Sequence, residues 1–492
     1  MFLEIISASF LVWIVSFLVK TYFKRRSMPP GPFPYPIIGN IFLVDVTSKK
    51  PFKRIQEKYG DIYTVRLLSD VVVVNTATLA REARLLHKND VVDKSTKAPL
   101  HPIIGPNDIV FAEYGTPFVF RKRVFKSAMH VFGEGIHEAE ERGNHAVKCT
   151  LDEIKSFEGR SFSPKKLIAS AIILQLWQWL TSKELSLDDD IIVKLLEFSE
   201  LSVKKIQENS IVSMMIPFSS FLPTEFNRNK KRALHIKSSI FSPVVESHLA
   251  TYTPGKIRNM THSFIQAYAK EMAKESSKDI GSINDIKDLM VDVVFAGADT
   301  TSSTLSWFLL YMTLYPDVQK KIHAELDQVI GKEYLPQMKD IQNLNYLQAT
   351  MCEVIRKANP IPIAGATTLR DIHLAGFHIP KGTAILTNLA EVHHDEREWP
   401  EESKFKPERF LDNDGKFVGW THYLAFMPFG LGRRQCGGIS FAKIMLFTFS
   451  STLLYYHEFR LPEGVERPME EGSRLQLVSS PNHFEVVAFP RT

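Results

Sequence analysis

The alternation of apolar and polar positions predicts a mainly helical protein with small sheets near each end of the chain. From about residue 76 to residue 360 the pattern is mostly helical. Residues 63–67 and 71–75 read as a β-hairpin, and further strands are expected near 374–379, 384–388 and 475–489. No strong linker divides this body, so the predicted fold class is α+β, mainly α, in one large domain.

Residues 1–20 form the most apolar segment and, with residues 5–19 uncharged, approach the ~20 residues that span a bilayer. Basic residues follow at once, which predicts that the C-terminal side faces the cytosol: Lys20, Lys24, Arg25 and Arg26. A cleavable signal peptide would carry its basic residues before the apolar run, so a retained anchor is favoured. Basic, proline-rich residues 21–40 are then a stiff hinge before a domain of residues 41–492.

Composition narrows the function classes. The net charge of +5 over 492 residues is too small for a dedicated nucleic-acid binder, although a basic patch for an acidic protein partner is compatible with it. Three distant cysteines, Cys149, Cys352 and Cys436, indicate a reducing compartment and no zinc or disulfide framework. No Gly-x-Gly-x-x-Gly follows a predicted strand, so electrons for any redox reaction would come from a partner protein.

Cys436 lies in the most informative stretch, residues 429–438, which read FGLGRRQCGG. The glycines, Gly438 among them, permit a tight turn and let backbone N–H groups approach the sulfur. Arg434 can meet a haem propionate, and Phe429 can shield the sulfur from water. The pattern is typical of a thiolate that ligates haem iron, and five fixed residues disfavour the alternative of a structural cysteine beside a glycine-rich turn.

Residues 296–301, AGADTT, lie inside a helix predicted from about residue 286 to residue 314. A glycine in mid-helix costs about 1 kcal/mol, and Thr300 can donate a hydrogen bond to a carbonyl one turn back. These features predict a groove in which Asp299 and Thr300 supply protons for oxygen activation. A packing contact between small residues is the alternative.

Glu353 and Arg356 are spaced to share one helix face. The pair says little alone, but residues 405–410, FKPERF, follow about fifty residues later, and Arg409 could join it. The expected role is structural.

These segments, in this order, resemble the cytochrome P450 family: the haem-binding signature, the oxygen-activation motif and the Glu-x-x-Arg plus Pro-Glu-Arg-Phe network. The resemblance covers essentially the whole chain and is closest in character to animal microsomal monooxygenases of the drug- and steroid-metabolising branch. It implies a triangular helical fold that encloses haem b, with Cys436 as the axial ligand.

The same resemblance implies further partners and a location. They are O₂, a lipophilic substrate, NADPH-cytochrome P450 reductase and cytochrome b5, at the endoplasmic reticulum membrane, with a single span and the domain in the cytosol. It also implies a pocket, for which ordinary core packing is the alternative at each position: Phe111, Phe295, Ala298, Ile363 and Val478 are its expected lining, together with residues 211–221.

The chain departs from the family pattern at four positions that would contact haem propionates. Phe118 and Lys122 stand where tryptophan and arginine are usual, Ala366 stands for histidine or arginine, and Lys94 replaces an arginine. Lysine keeps the charge but lacks the bidentate fork. Lys122 is therefore the expected cofactor contact, and haem is expected to be held less firmly.

Two other functions stay open on sequence alone. A thiolate-haem isomerase or dehydratase would rearrange a peroxide without a reductase, but such an enzyme would tolerate loss of the acid–alcohol pair that is present here. A haem sensor without turnover is the second alternative.

Overall fold

The computed structural model describes residues 2–45, 50–67, 69–94, 101–104, 107–133, 144–202, 223–274, 281–331, 334–470, 472 and 477–491. Residues 211–221, which the sequence predicts as part of the pocket lining, lie outside these ranges. Within them the helices are α1 (Phe2–Arg25), α2 (Lys53–Tyr59), α3 (Ala77–Arg81), α4 (His101–Ile104), α5 (Thr116–Gly133), α6 (Asn144–Ser156), α7 (Pro164–Thr181), α8 (Asp190–Glu200), α9 (Glu225–Thr251), α10 (Met260–Met272), α11 (Asp285–Leu314), α12 (Pro316–Val329), α13 (Asn345–Ala358), α14 (Leu389–Val392) and α15 (Ile439–Tyr456).

The strands form small sheets, as the sequence predicts. They are β1 (Ile62–Arg66), β2 (Asp70–Val74), β3 (Val91–Asp93), β4 (Ile363–Thr368), β5 (Ile372–Leu374), β6 (Phe377–Ile379), β7 (Ala384–Asn388), β8 (His457–Arg460) and β9 (Val487–Pro490). The order β1-β2-β7-β4-β3 makes a five-stranded sheet, and its β2–β7 pair is parallel. Residues 374–379 span a turn rather than one strand, because Ala375 and Gly376 have φ of 50° and 80° between β5 and β6.

The chain forms two compact units. The first unit comprises Met1–Lys94, Ile361–Glu402 and Tyr423–Gln435; the second comprises Ser95–Pro360, Ser403–His422 and Cys436–Thr492. The five-stranded sheet belongs to the first unit, and its centre is apolar because the hairpin strand β2 is buried along its whole length. Helices α4 to α13 and α15 belong to the second unit.

The segment after α1 packs on the sheet of the first unit. The Thr64 backbone N–H donates to the Pro30 carbonyl at 2.8 Å, and its hydroxyl donates to the Pro29 carbonyl at 2.9 Å. The end of α1 is held as well, since Lys24 Nζ lies 2.7 Å from the buried Asp70 carboxylate. The proline-rich hinge is therefore fastened to β1 at these residues.

Among the residues that the structure describes, two helices are long and apolar enough to cross a membrane. Of the span Glu4–Arg25, with mean hydropathy 1.8, 6% is buried. Of α15, 61% is buried, as expected for a core helix. The contrast supports α1 as the anchor helix.

In the second unit, α11 is the central helix. It packs along α7 and also contacts α4, α9, α10, α13 and α15. Its predicted bounds, 286–314, are confirmed within one residue. Because it is buried on nearly all sides, each polar side chain along it must find a partner or face a space.

The predicted ion pair in α13 is confirmed and fully buried. Arg356 donates to both carboxylate oxygens of Glu353, at 2.7 and 2.8 Å, and Arg409 Nε lies 3.4 Å from the same carboxylate. The Lys406 backbone N–H adds a bond of 3.0 Å. The Glu353 carboxylate thus joins α13 to residues 406–409.

We expect burial, not geometry, to determine what this pair contributes to stability. Arg356→Met should cost roughly 3–5 kcal/mol, because it leaves the buried Glu353 charge undercompensated. Arg232 offers a matched control, since it forms the same two-pronged contact with Glu197 at 2.7 and 2.8 Å on an exposed surface. Arg232→Met should leave the thermal unfolding midpoint almost unchanged. Equal losses in the two variants would contradict this account.

Candidate active site

The glycine-rich stretch before Cys436 is shaped by close packing in the first unit. Gly432 has φ of +71°, and a Cβ there would lie 2.1 Å from the Arg84 carbonyl oxygen. A larger residue would therefore displace the turn. The turn leads to Arg434, whose Nε donates to the Val92 carbonyl at 2.7 Å. Strand β3 thus orients the arginine that the sequence assigns to a propionate.

The residues from Cys436 onward belong to the second unit and lead into α15. A Cβ on Gly437 would lie 2.8 Å from the Phe125 ring of α5, so glycine allows the backbone to pass that ring. A Cβ on Gly438 would meet nothing within 4 Å. The stretch is therefore packed on one side and open on the other.

Cys436 has opposing influences on its ionisation. Burial raises the pKa of its thiol, whereas a hydrogen bond from the Gly438 backbone N–H and the charge of Lys122 lower it. The side chain is nevertheless exposed to space that protein does not fill. A sulfur with an N–H donor, a nearby cation and an open side suits a thiolate ligand.

One face of α11 is open in the same way. Ala296 is exposed and Thr300, one turn later, is half-buried, although the neighbouring residues Phe295 and Thr301 are buried. The Thr300 hydroxyl donates to the Ala296 carbonyl at 2.7 Å, as predicted. A flat group such as haem can lie close to a helix only where no large side chain projects, and the strip of Ala296 and Thr300 meets that condition.

Asp299 points to a different side of α11 from Thr300. Its Oδ2 atom is buried and has no hydrogen-bond partner among the described residues. Burial raises its pKa to about 6; contact with the Ser199 hydroxyl and the charge of Lys165 lower it, and Glu200 raises it. The acid and the alcohol are adjacent in sequence, but the structure directs them to neighbouring faces.

Asp299 lines a cavity of about 1250 Å³ bounded by α6, α7, α8 and α11. Ala298 and Val478, two of the predicted pocket residues, line the same cavity. Sequence reasoning missed Ser199, Lys165 and Glu200, because they lie about one hundred residues or more from the motif and show no pattern of their own.

The other predicted pocket residues are Phe111, Phe295 and Ile363, and none of them is among the residues that line this cavity. The rings of Phe111 and Phe295 meet edge to face with centroids 6.1 Å apart. Ile363 begins β4 of the first unit, opposite Asn388 of β7. Within the second unit, the structure therefore places Phe111 beside Phe295 and places Ala298 and Val478 in one cavity.

The departures from the family pattern have distinct surroundings. Lys122 Nζ lies 5.8 Å from the centroid of the Phe118 ring, which is buried. In the first unit, Lys94 Nζ donates to the Gly365 carbonyl at 2.5 Å, and Ala366 is buried in β4.

The arginines on either side of Lys122 already have acidic neighbours. Arg121 is buried 4.0 Å from Asp285, and Arg123 lies 3.6 Å from Glu271. Lys122 is thus the cation of this trio whose charge acts on Cys436.

Comparison with known proteins decides the family. The profile described as Cytochrome P450 matches residues 29–488. Cytochrome P450 2D14 of Bos taurus is 32% identical over 494 residues, covering 97% of each chain. Cytochrome P450 2D6 of Homo sapiens is 31% identical over 99% of this chain and 98% of its own, and cytochrome P450 2J2 of Homo sapiens is 31% identical over 98% and 96%. The chain belongs to the cytochrome P450 family.

This cytochrome P450 is a haem-thiolate monooxygenase that inserts one oxygen atom of O₂ into a lipophilic organic substrate. When bound, haem supplies the iron at which O₂ is reduced, and a redox partner supplies the electrons. The open thiol of Cys436 and the open strip on α11 fit that cofactor. The comparisons favour neither the isomerase nor the sensor.

The raised pKa of Asp299 predicts a pH-dependent cost to stability. Its carboxyl is protonated more readily in the folded protein than in the unfolded chain, so stability falls as pH rises between about 4 and 7. A pKa shift from 3.8 to about 6 lowers the free energy of unfolding at neutral pH by about 3 kcal/mol. The thermal unfolding midpoint of Asp299→Asn should therefore exceed that of the unaltered protein, by an amount that grows from pH 5 to pH 7.

Asp152→Asn is the control, because Asp152 lines the same cavity on the exposed surface of α6. A gain for Asp299→Asn that is independent of pH, or matched by the control, would contradict burial as the cause.

Lys122 should contribute to haem retention. A charge-assisted hydrogen bond is worth roughly 1.5–3 kcal/mol, so its loss should speed haem release about tenfold or more. Transfer of haem to an apo-acceptor protein measures this rate. Lys122→Ala should accelerate transfer, Lys122→Arg should slow it, and Lys126→Ala, one turn along α5 and exposed, should do neither. Equal rates for the two alanine variants would remove Lys122 from the cofactor site.

Proposed function

We propose that Cys436 is the axial ligand of haem b in this monooxygenase, with Phe429 shielding its sulfur and Gly438 donating to it. Arg434 and Lys122 are the proposed propionate partners. The observation that carries the assignment is the pairing of an exposed thiol with a backbone N–H donor and a nearby cation.

Asp299 and Thr300 are the proposed proton-transfer residues. With its pKa near 6, the Asp299 carboxyl exchanges a proton at neutral pH more readily than an ordinary aspartate. The Thr300 hydroxyl lies on the open strip and holds its proton toward the Ala296 carbonyl. Because the two side chains face neighbouring sides of α11, the proton passes from the cavity side of the helix to its open side, with water as the relay.

The substrate is a lipophilic small molecule that we place against Phe111 and Phe295. Their edge-to-face contact presents apolar surface next to α11. Ala298, Val478 and Ile363 complete the proposed lining.

The proposed location is the endoplasmic reticulum membrane, with α1 as a single span and the domain in the cytosol. Residues 259–261, NMT, form a glycosylation sequon, but its modification state does not report on this orientation. Asn259 is buried and its side chain accepts a hydrogen bond from the His262 backbone N–H at 2.9 Å, at the start of α10. Protease digestion of the domain in intact microsomes is the appropriate test.

NADPH-cytochrome P450 reductase is the proposed electron donor, and cytochrome b5 a further partner. The sequence offers residues 121–126, Arg433 and Lys443 as a basic docking surface for an acidic partner. Of these, Arg121 is buried beside Asp285, and Lys443 Nζ lies 4.5 Å from the centroid of the Trp420 ring. Exposed Lys126 of α5 and exposed Arg433 of the first unit remain candidates for contact with an acidic partner.

Thr300 and Thr304 provide a matched test of the proton role. Each hydroxyl donates to a carbonyl one turn back, at 2.7 and 2.8 Å. Thr300→Ala should keep haem and substrate binding but divert NADPH-derived electrons into hydrogen peroxide or water, measured as product formed per NADPH consumed. Thr304→Ala should stay coupled. Full coupling in Thr300→Ala and Asp299→Asn would overturn the proposed roles.

A further inference from the structure

Lys237 is a buried lysine on α9 with partners on two other elements. Its Nζ donates to the carbonyl of Ile104, the last residue of α4, and lies 2.9 Å from Asp288 Oδ1 on α11. A buried ammonium is costly unless it is paired, so these contacts tie the three helices at one point.

The acidic partner belongs to a stripe along α11. Asp288, Asp292 and Phe295 are spaced i, i+4 and i+7, which places them on one face of the helix. Both aspartates are almost fully buried. Two carboxylates one turn apart repel each other in such surroundings, and Lys237 is the cation in contact with the first of them.

The second aspartate holds the segment that carries Phe111. Asp292 Oδ2 accepts a hydrogen bond of 2.8 Å from the Ile109 backbone N–H. Asp108, also buried, accepts from the backbone N–H groups of Phe111 and Ala112. The Phe111 ring then meets Phe295, on the same stripe of α11.

We propose that Lys237 is a positioning residue for the substrate pocket: it neutralises Asp288 and so leaves Asp292, one turn further along α11, charged as the acceptor that holds Ile109 against the helix and thereby Phe111 against Phe295. This inference rests on the proposed function in one respect, the assignment of Phe111 to the pocket. Lys237 lies on a different helix from the residues it positions, and nothing in the reaction requires it to touch substrate.

The charges around Asp292 agree with this arrangement. Burial and the neighbouring Asp108 raise its pKa, the Ile109 N–H lowers it, Asp288 raises it and Lys237 lowers it. Toward the start of α11, Arg121 of α5 is paired with Asp285. Removal of the Lys237 charge should therefore favour protonation of Asp292, which weakens it as an acceptor for Ile109.

Two haem ligands of different size separate pocket geometry from iron ligation. Imidazole needs little beyond the iron, whereas 4-phenylimidazole also places an aryl ring in the pocket. With the haem-loaded protein, the shift of the Soret band measures the dissociation constant of each. Lys237→Met should raise the dissociation constant of 4-phenylimidazole about tenfold, which corresponds to about 1.4 kcal/mol of binding free energy, and leave that of imidazole unchanged.

Charge and position are tested by further variants. Lys237→Arg should restore 4-phenylimidazole binding, and Lys231→Met, on the exposed face of α9, should not alter it. Acidification protonates both imidazole ligands, so each pH series is compared with that of the unaltered protein: in Lys237→Met the loss of 4-phenylimidazole binding should have its midpoint at higher pH, whereas the loss of imidazole binding should not shift. If that variant yields no haem-loaded protein, Lys237→Gln, which keeps a donor for the Ile104 carbonyl, is read by the same criteria.

Phe111→Ala distinguishes the two ways in which the inference can fail. If Phe111→Ala leaves 4-phenylimidazole binding unchanged, the pocket assignment is wrong and the positioning role falls with it. If Phe111→Ala weakens binding and Lys237→Met does not, Lys237 is only a structural residue. Equal weakening of imidazole and 4-phenylimidazole by Lys237→Met would also overturn the proposal.

Discussion

A sulfur that ligates haem iron must be ionised although protein surrounds it, and the residues around Cys436 in this cytochrome P450 are arranged to permit this ionisation. Burial alone favours the neutral thiol of Cys436. The hydrogen bond from the Gly438 N–H and the charge of Lys122 oppose that tendency, and each depends on surrounding structure. Gly437 lets the chain pass the Phe125 ring closely enough for the turn to form, and α5 carries both that ring and Lys122. The charge of Lys122, which stands where arginine is usual in the family, therefore acts on the Cys436 sulfur, and Lys122 is also the proposed propionate partner.

Helix α11 imposes the second constraint, because polar groups on a buried helix are expensive unless each has a defined surrounding. The helix meets this condition differently along its length. Asp288 pairs with Lys237, Asp292 receives a backbone N–H, Asp299 faces a cavity, and Thr300 bonds to its own helix. Asp292 holds the segment that carries Phe111, and Asp288 with Lys237 lies one turn before it, whereas Asp299 and Thr300 suit proton transfer. One helix thus carries the proposed pocket geometry and the proposed proton residues on adjoining faces.

The sequence predicts the elements that depend on local pattern. Helix α11, the β1–β2 hairpin and the contact of Arg409 with Glu353 follow from periodicity, turn residues and motif order. Contacts between distant segments could not be predicted in this way. Lys237 looks like any lysine in a charged helix, and its burial depends on how α9 packs against α11. One signal was present but unused: aspartates recurring at helical spacing in an otherwise apolar helix indicate buried partners.

The identity of the axial ligand is the claim on which the rest depends. The carbon monoxide difference spectrum of the reduced, haem-loaded protein tests it directly. The account predicts the red-shifted Soret band that is typical of thiolate ligation in the unaltered protein and its loss in Cys436→Ser, with haem still bound. The same band in Cys436→Ser would show that another residue ligates the iron and would contradict the account.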